Sequence, residues 1–284
     1  MFTVGTSSDV VRHLPVQDAI QLISHTGYDA VELWMGHVTA SSLSTADIRR
    51  LLEEHQLSYQ IHADVRDINL TSINPGIQKE SVKQTLKTIE FAKELGADLI
   101  TVHPGRLSSS KDRPEDLWDL QVDVFKEIAA YAEQFKVKIG LENMEKRPKE
   151  FMMTYDVVDH LIREVNSPYL GMTLDLAHCH SLGEVTEFVQ SVQVPIFNVH
   201  ISQASKKKMH LPFDTKQEGA IDFEPVLPLL YEKYDGVLIN ESFQHGKEIE
   251  TLKNAQHSIR KLIHTFQGQL PKAEAVVHEN RRMS

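Results

Sequence analysis

The stretch ADLITVHPGRLSSSKDRPEDLWDLQVDVFKEIAAYAEQFKVKIGLEN, residues 97–143, holds one complete unit of the fold. It opens with a short strand-forming run, ADLITVH (97–103), and closes with another, VKIGLEN (137–143). Between them Leu117, Gln121, Val124 and Ile128 recur at helical spacing, which gives the connecting segment one face to pack on a sheet. Pro114 stands near the start of that helix, where its missing N–H costs nothing. The same pair of signals recurs in both directions along the chain. The further runs are FTVG (2–5), YDAVELW (28–34), LSYQIHA (57–63), YLGMTLD (169–175), PIFNVHI (195–201) and GVLINES (236–242). Val82, Leu86, Ile89 and Ala92 mark the helix of the third unit, and Leu252, Ala255, Ile259 and Leu262 that of the eighth. Gly27 and Gly96 fall just past two helix C-termini, and Pro15 near another N-terminus.

Eight strand–helix units in about 260 residues predict an α/β fold, a single-domain (β/α)8 TIM barrel, which typically takes about 250 residues. The predicted domain spans 1–267, with a polar tail over 268–284. An open doubly wound sheet is the alternative, but its first turn should carry a Gly-rich phosphate loop. That position reads GTSSDV. Two connections are long, PGRLSSSKDRPED after the fourth strand and SQASKKKMHLPFDTKQEGAIDF after the seventh, as expected of loops that build a substrate site.

The 284 residues are 41% hydrophobic and 25% charged, which excludes disordered and collagen-like classes. No run approaches the roughly 18 uninterrupted apolar residues of a membrane helix. The opening MFTVGTSSDV lacks a basic region followed by an apolar run. A cytoplasmic protein with no membrane partner is expected. A single cysteine, Cys179, excludes an intramolecular disulfide framework and a Cys-rich zinc module, so any metal must use His and carboxylates. The formal net charge of −10 disfavours non-specific attraction to nucleic acid or anionic lipid. The unusual count is histidine, at 15.

In such a barrel the C-terminal strand ends converge on one mouth, where catalytic residues sit. The second strand closes with Glu32, the third with His62, the fourth with His103, the fifth with Glu142, the sixth with Asp175, the seventh with His200 and the eighth with Glu241. Singly, each reads as well as a structural or solvated group; at one shared register they do not. Imidazoles and carboxylates crowded into a desolvated mouth need compensating positive charge, and one or more divalent metals supply it economically. A mixed N/O donor set without thiolate suits Zn²⁺, Mn²⁺, Fe²⁺ or Co²⁺, with zinc and manganese first and one to three ions per chain. His178, on the loop leaving the sixth strand, and His210, in the long seventh loop, are two further possible ligands. His180 reads as solvated, Cys179 as a small buried residue, and Glu32 as a strand-end carboxylate bonding to Arg or backbone.

The strings IHADVRDINLTS, TVHPGR, LEN, LDLAH, NVHIS, HLPF with EGAIDF, and INES, in this order over about residues 2–265, resemble the xylose-isomerase-like barrel superfamily. That group includes sugar epimerases, isomerases and the endonuclease IV type of apurinic-site phosphodiesterase. The resemblance implies that Glu142, Asp175, His200 and Glu241 form the shared metal set. It implies also that His62 and His103 are additional ligands around a second metal bridged by Glu142, and that His178 and His210 are two of three ligands to a third. The third-metal pattern expects Asp where this chain has Lys208, and a protonated ammonium repels a cation. Lys206, Lys207 and Lys208 read as a solvated loop face or a contact to a substrate phosphate, and Arg106 is a second phosphate candidate. Glu32, Arg106 and Lys208 are thus the candidate substrate-binding residues.

Two activities compete. The first is sugar or sugar phosphate isomerisation or epimerisation through a metal-stabilised enediolate, with Glu142 and Glu241 removing and returning the proton. The second is phosphoester hydrolysis of abasic DNA at two or three metals, for which His62 and His103 are the evidence. The acidic charge, Lys208 and a seventh loop without interleaved aromatics favour the sugar enzyme, and hence a small-molecule partner rather than nucleic acid.

Overall fold

The computed structural model describes residues 1–183, 185–206, 208–214 and 219–269. Eight parallel strands close into a barrel: β1 (Thr3–Ser7), β2 (Ala30–Trp34), β3 (Ser58–His62), β4 (Leu99–Val102), β5 (Lys138–Glu142), β6 (Leu170–Asp175), β7 (Ile196–Ile201) and, last in the chain, β10 (Val237–Asn240). Each predicted run forms its strand. The open doubly wound alternative is excluded, because β1 pairs with both β2 and β10 and leaves no edge. The strands are buried on both faces, as in β6, where all six residues LGMTLD are inaccessible. Their outward side chains meet an apolar layer from the surrounding helices, including Ile20, Ile48, Ile89, Phe125, Leu161 and Ile259.

Helix ends follow the expected chemistry. Gly27 and Gly96 terminate the helices Val16–Thr26 and Pro75–Leu95 in the left-handed region, at φ 89° and 97°, where a side chain would be strained. Asn74 caps the second of these through its side-chain oxygen, which accepts from the backbone N–H groups of Gly76 and Ile77.

Two features differ from the sequence reading. The seventh loop is not wholly irregular: it folds back as an antiparallel hairpin, β8 (Gln203–Ser205) and β9 (Lys208–Leu211), standing on the C-terminal rim of the barrel. The final helix runs Glu248–Gln269, two residues into the predicted tail, because Ile259, Ile263 and Phe266 keep an apolar stripe against the barrel. The rest of that tail, 270–284, and Lys207 lie outside the described residues. Among the described residues, no helix is long and apolar enough to cross a membrane.

Candidate metal centre

The strand register brings the predicted residues together. Asp175 on β6 lies directly beside His200 on β7, and Glu142 ends β5 opposite Thr173, two residues before Asp175. Glu241 follows β10 by one residue and donates its N–H to Ile201 O at 3.2 Å, which brings it alongside β7. Glu142, Asp175, His200 and Glu241 therefore each present a donor atom within 4.8 Å of one another. His62, His103 and Glu142 form a second such group, and Asp175, His178 and His210 a third.

Glu142 is the hub. His103 Nε2 lies 3.0 Å from its Oε2 and His62 Nε2 3.3 Å, while His200 Nδ1 lies 3.3 Å from Oε1. Burial opposes its ionisation, but His103 and His200 outweigh it and hold the carboxyl well below the usual range. Burial pushes Glu241 and Asp175 the other way, so both keep a proton more readily than an exposed acid. His62 resists desolvation through Glu142 and Glu32 and is raised to about 9; His200 is raised further by Glu241, Glu32 and Glu142. His178 and His210, dominated by burial, are lowered, His210 to about 4.

The imidazoles are oriented as ligands. His62 Nδ1 bonds the carbonyl of Ala63 at 2.8 Å and His178 Nδ1 that of Asn143 at 2.8 Å. A carbonyl can only accept, so in each ring Nδ1 carries the hydrogen and Nε2 is turned into the cluster. His200 is inverted. Its Nε2 lies 3.0 Å from Glu32 Oε1, and Nδ1 faces Glu142, Asp175 and Glu241. In His62 and His178 one ring nitrogen is anchored to a carbonyl and the other is aimed at a shared point, the arrangement of metal-binding histidines. Asp175 adds a second sign. Its Oδ1 accepts from His178 N–H at 2.7 Å, whereas its buried Oδ2 has no hydrogen-bond partner. A desolvated carboxylate oxygen without a donor is costly, and a cation satisfies it. The donor set therefore fits a divalent ion.

Below these ligands lies a buried polar layer that the sequence reading missed. Glu32 is not at the strand end but two residues before it, and it meets no arginine. Its Oε2 accepts from Gln60 at 2.7 Å, Asn198 at 2.8 Å and Thr101 at 3.2 Å. His200 and His62 outweigh its burial and hold it at about 2. Glu32 has no exposed surface and does not line the cavity; it lies beside His200 and also forms a donor group with His62 and Glu241.

Glu142 and Glu241, with His62, His103, His178 and His210, line a cavity of about 720 Å³ at the barrel mouth, and Asp175 and His200 are buried. Residues 20–264 match the family described as the xylose isomerase-like TIM barrel. The chain belongs to that family. It is 29% identical to an uncharacterised protein of Methanocaldococcus jannaschii over 84% of this chain and 83% of that one. It is 23% identical to the fructoselysine 3-epimerase of Shigella flexneri over 84% of this chain and 88% of the relative. Among solved structures, a D-tagatose 3-epimerase-like protein superposes with a TM-score of 0.84 at 24% identity, covering 95% of this chain and all of the other.

Arg106 does line the cavity, and Lys208 does not; it faces a neighbouring recess on the hairpin side. The third donor group forms despite Lys208, because Asp175 supplies a carboxylate to His178 and His210. His210 reaches that position from β9 with a left-handed backbone, φ 54°, and its carbonyl accepts from Phe243 N–H at 2.8 Å. Sequence reading also missed Arg12, Arg66 and Arg147 in the cavity wall, Arg66 stacked 4.0 Å over Trp34. Each stands on a loop leaving the C-terminal end of a strand, which was the available signal.

Proposed function

We propose that this protein is a divalent-metal-dependent isomerase or epimerase of sugars or sugar phosphates. The observation that carries the reading is the set of Glu142, Asp175, His200 and Glu241, four donors within 4.8 Å of one another, of which Glu142 and Glu241 line an open cavity while Asp175 and His200 are buried. Similarity to the fructoselysine 3-epimerase and to the D-tagatose 3-epimerase-like fold supports it.

Glu142, Asp175, His200 and Glu241 would hold the ion, which when bound polarises adjacent carbonyl and hydroxyl oxygens of an open-chain sugar. Glu142, ionised and hydrogen-bonded by imidazoles, and Glu241, prone to protonation, are the two carboxylates whose environments push them apart, and they are assigned removal and return of the substrate proton. Glu32 pairs with His200 across 3.0 Å, and the Ala63 and Asn143 carbonyls fix the tautomers of His62 and His178. Trp34, Met144, Met209 and Phe243 give the cavity its apolar surface, against which the carbon chain can lie.

One observation favours a second reading. His62, His103 and Glu142 form an additional donor group beyond what a one-metal sugar enzyme needs, consistent with a two- or three-metal phosphodiesterase acting on abasic DNA. Metal content per chain, measured on protein purified without chelator, separates the two: near one supports the sugar enzyme, two or three the hydrolase. Exchange of ketose C–H with solvent deuterium tests the proton transfer itself. Glu142→Gln and Glu241→Gln should each abolish it, and retained exchange removes that role.

A further inference from the structure

The hairpin side of the mouth opens into a recess of about 400 Å³ that shares Glu145, Arg147 and Met209 with the metal cavity. Its charged lining is otherwise Lys146, Lys206 and Lys208, so four cations face one carboxylate in a chain whose formal charge is −10. That carboxylate is already taken: Arg147 pairs with Glu145 at 2.7 Å. Among the described residues, no carboxylate lies within 4.0 Å of the ammonium groups of Lys146, Lys206 or Lys208. Like charges gathered without counter-ions repel one another, and a local cationic pocket on an acidic protein concentrates anions. The recess also leads to the metal centre. Along β9, Lys208 lines the recess, Met209 lines both spaces and His210 lines the metal cavity.

We propose that this recess binds a phosphate group carried by the substrate, which makes the substrate a phosphorylated sugar. The inference rests on the isomerase or epimerase reading for the word substrate, but the recess can be tested without turnover. Phosphate is favoured over carboxylate by the donor type. Three ammonium groups act as movable point charges suited to a tetrahedral dianion, whereas the planar fork of Arg147, which would match a carboxylate, is held by Glu145.

The test is a calorimetric titration of the metal-loaded protein and of its K206Q/K208Q variant with ribitol 5-phosphate, ribonate and ribitol. These share a carbon chain and are inert to isomerisation. Wild type should bind the phosphate at least about tenfold more tightly than ribitol, and the variant should lose roughly ten- to a hundredfold for the phosphate with no change for ribitol, as expected for two charge-assisted contacts. Both lysines are exposed, so melting temperature and metal content should stay at wild-type values and report any misfolding. Ribonate bound as tightly as the phosphate, an equal loss for all three ligands, or tighter binding of an abasic duplex that depends on the same lysines would each overturn the proposal. If phosphate discrimination is present but no ketose or ketose phosphate exchanges a proton, the recess stands and the sugar-enzyme reading fails.

Discussion

Replacing Glu32 by Gln should weaken metal binding at the set of Glu142, Asp175, His200 and Glu241, to which it does not belong. The carboxylate is fully buried, and its held position at about 2, against an ordinary 4.5, means that the fold favours its charged form by about 3 kcal/mol, at about 1.4 kcal/mol per pH unit. Gln copies its shape and removes the charge. Every neighbour of this carboxylate is a donor: Gln60, Asn198 and Thr101 point at Oε2, and His200 Nε2 lies 3.0 Å from Oε1. An amide must therefore set its own NH2 against a donor. If it faces His200, the imidazole moves its hydrogen to Nδ1, the nitrogen turned toward Glu142, Asp175 and Glu241, and that nitrogen can no longer ligate. If it faces the other three, a buried donor is left unpaired at roughly 1–3 kcal/mol. The expected outcome is a metal affinity lower by roughly ten- to a hundredfold. The melting temperature should fall by roughly 5–10 °C, taking about 2–4 °C per kcal/mol for a domain near this size. Competition with a chromophoric chelator measures the first and circular dichroism the second. A Gln variant with wild-type affinity and stability would refute the orienting role.

Metal binding should release protons, since His62, His200, Asp175 and Glu241 all have raised pKa values and must lose their protons to ligate. Affinity should therefore rise as pH climbs through about 9, the value to which His62 is raised, and the calorimetric enthalpy should vary with buffer ionisation enthalpy; a buffer-independent enthalpy would contradict this. Lys136 ends the helix Trp118–Phe135 in the left-handed region at φ 56°, so Lys136→Gly should stabilise the fold by about 0.5–1 kcal/mol, read as a higher melting temperature. Cys179 is buried and burial pushes its thiol well above the usual value, so a thiol reagent should label it only after unfolding; labelling of the native protein would show that the sixth loop opens.

The barrel was legible because parallel strands buried on both faces leave a plain record: eight apolar, β-branched runs, each followed by a 3.6-residue stripe. The hairpin was not. Its strands are three and four residues long, and the lysines of the sequence SKKKM read as solvated loop. Such short strands form only because tertiary contacts hold them; Gln203, for instance, donates from Nε2 to Ile221 O at 2.8 Å and accepts from Ile221 N–H at 2.8 Å.

At the site, what could be read was the residue type at each strand end, and what could not was depth. Glu32 and Glu142 look alike in sequence, each a carboxylate in an apolar run, yet Glu142 is the last residue of β5 and lines the cavity while Glu32 lies two residues inside β2. A slip of two residues keeps a side chain on the same face of a strand but moves it about 6.6 Å along the barrel, from the ligand tier to the tier beneath. There the same carboxylate meets Gln60, Thr101 and Asn198. These three are mid-strand polar residues whose only sequence signal is that they interrupt hydrophobic runs. That interruption carries the chemistry: an apolar tier could not anchor His200 Nε2, and the imidazole that faces Glu142, Asp175 and Glu241 would lose the partner that fixes which nitrogen it offers.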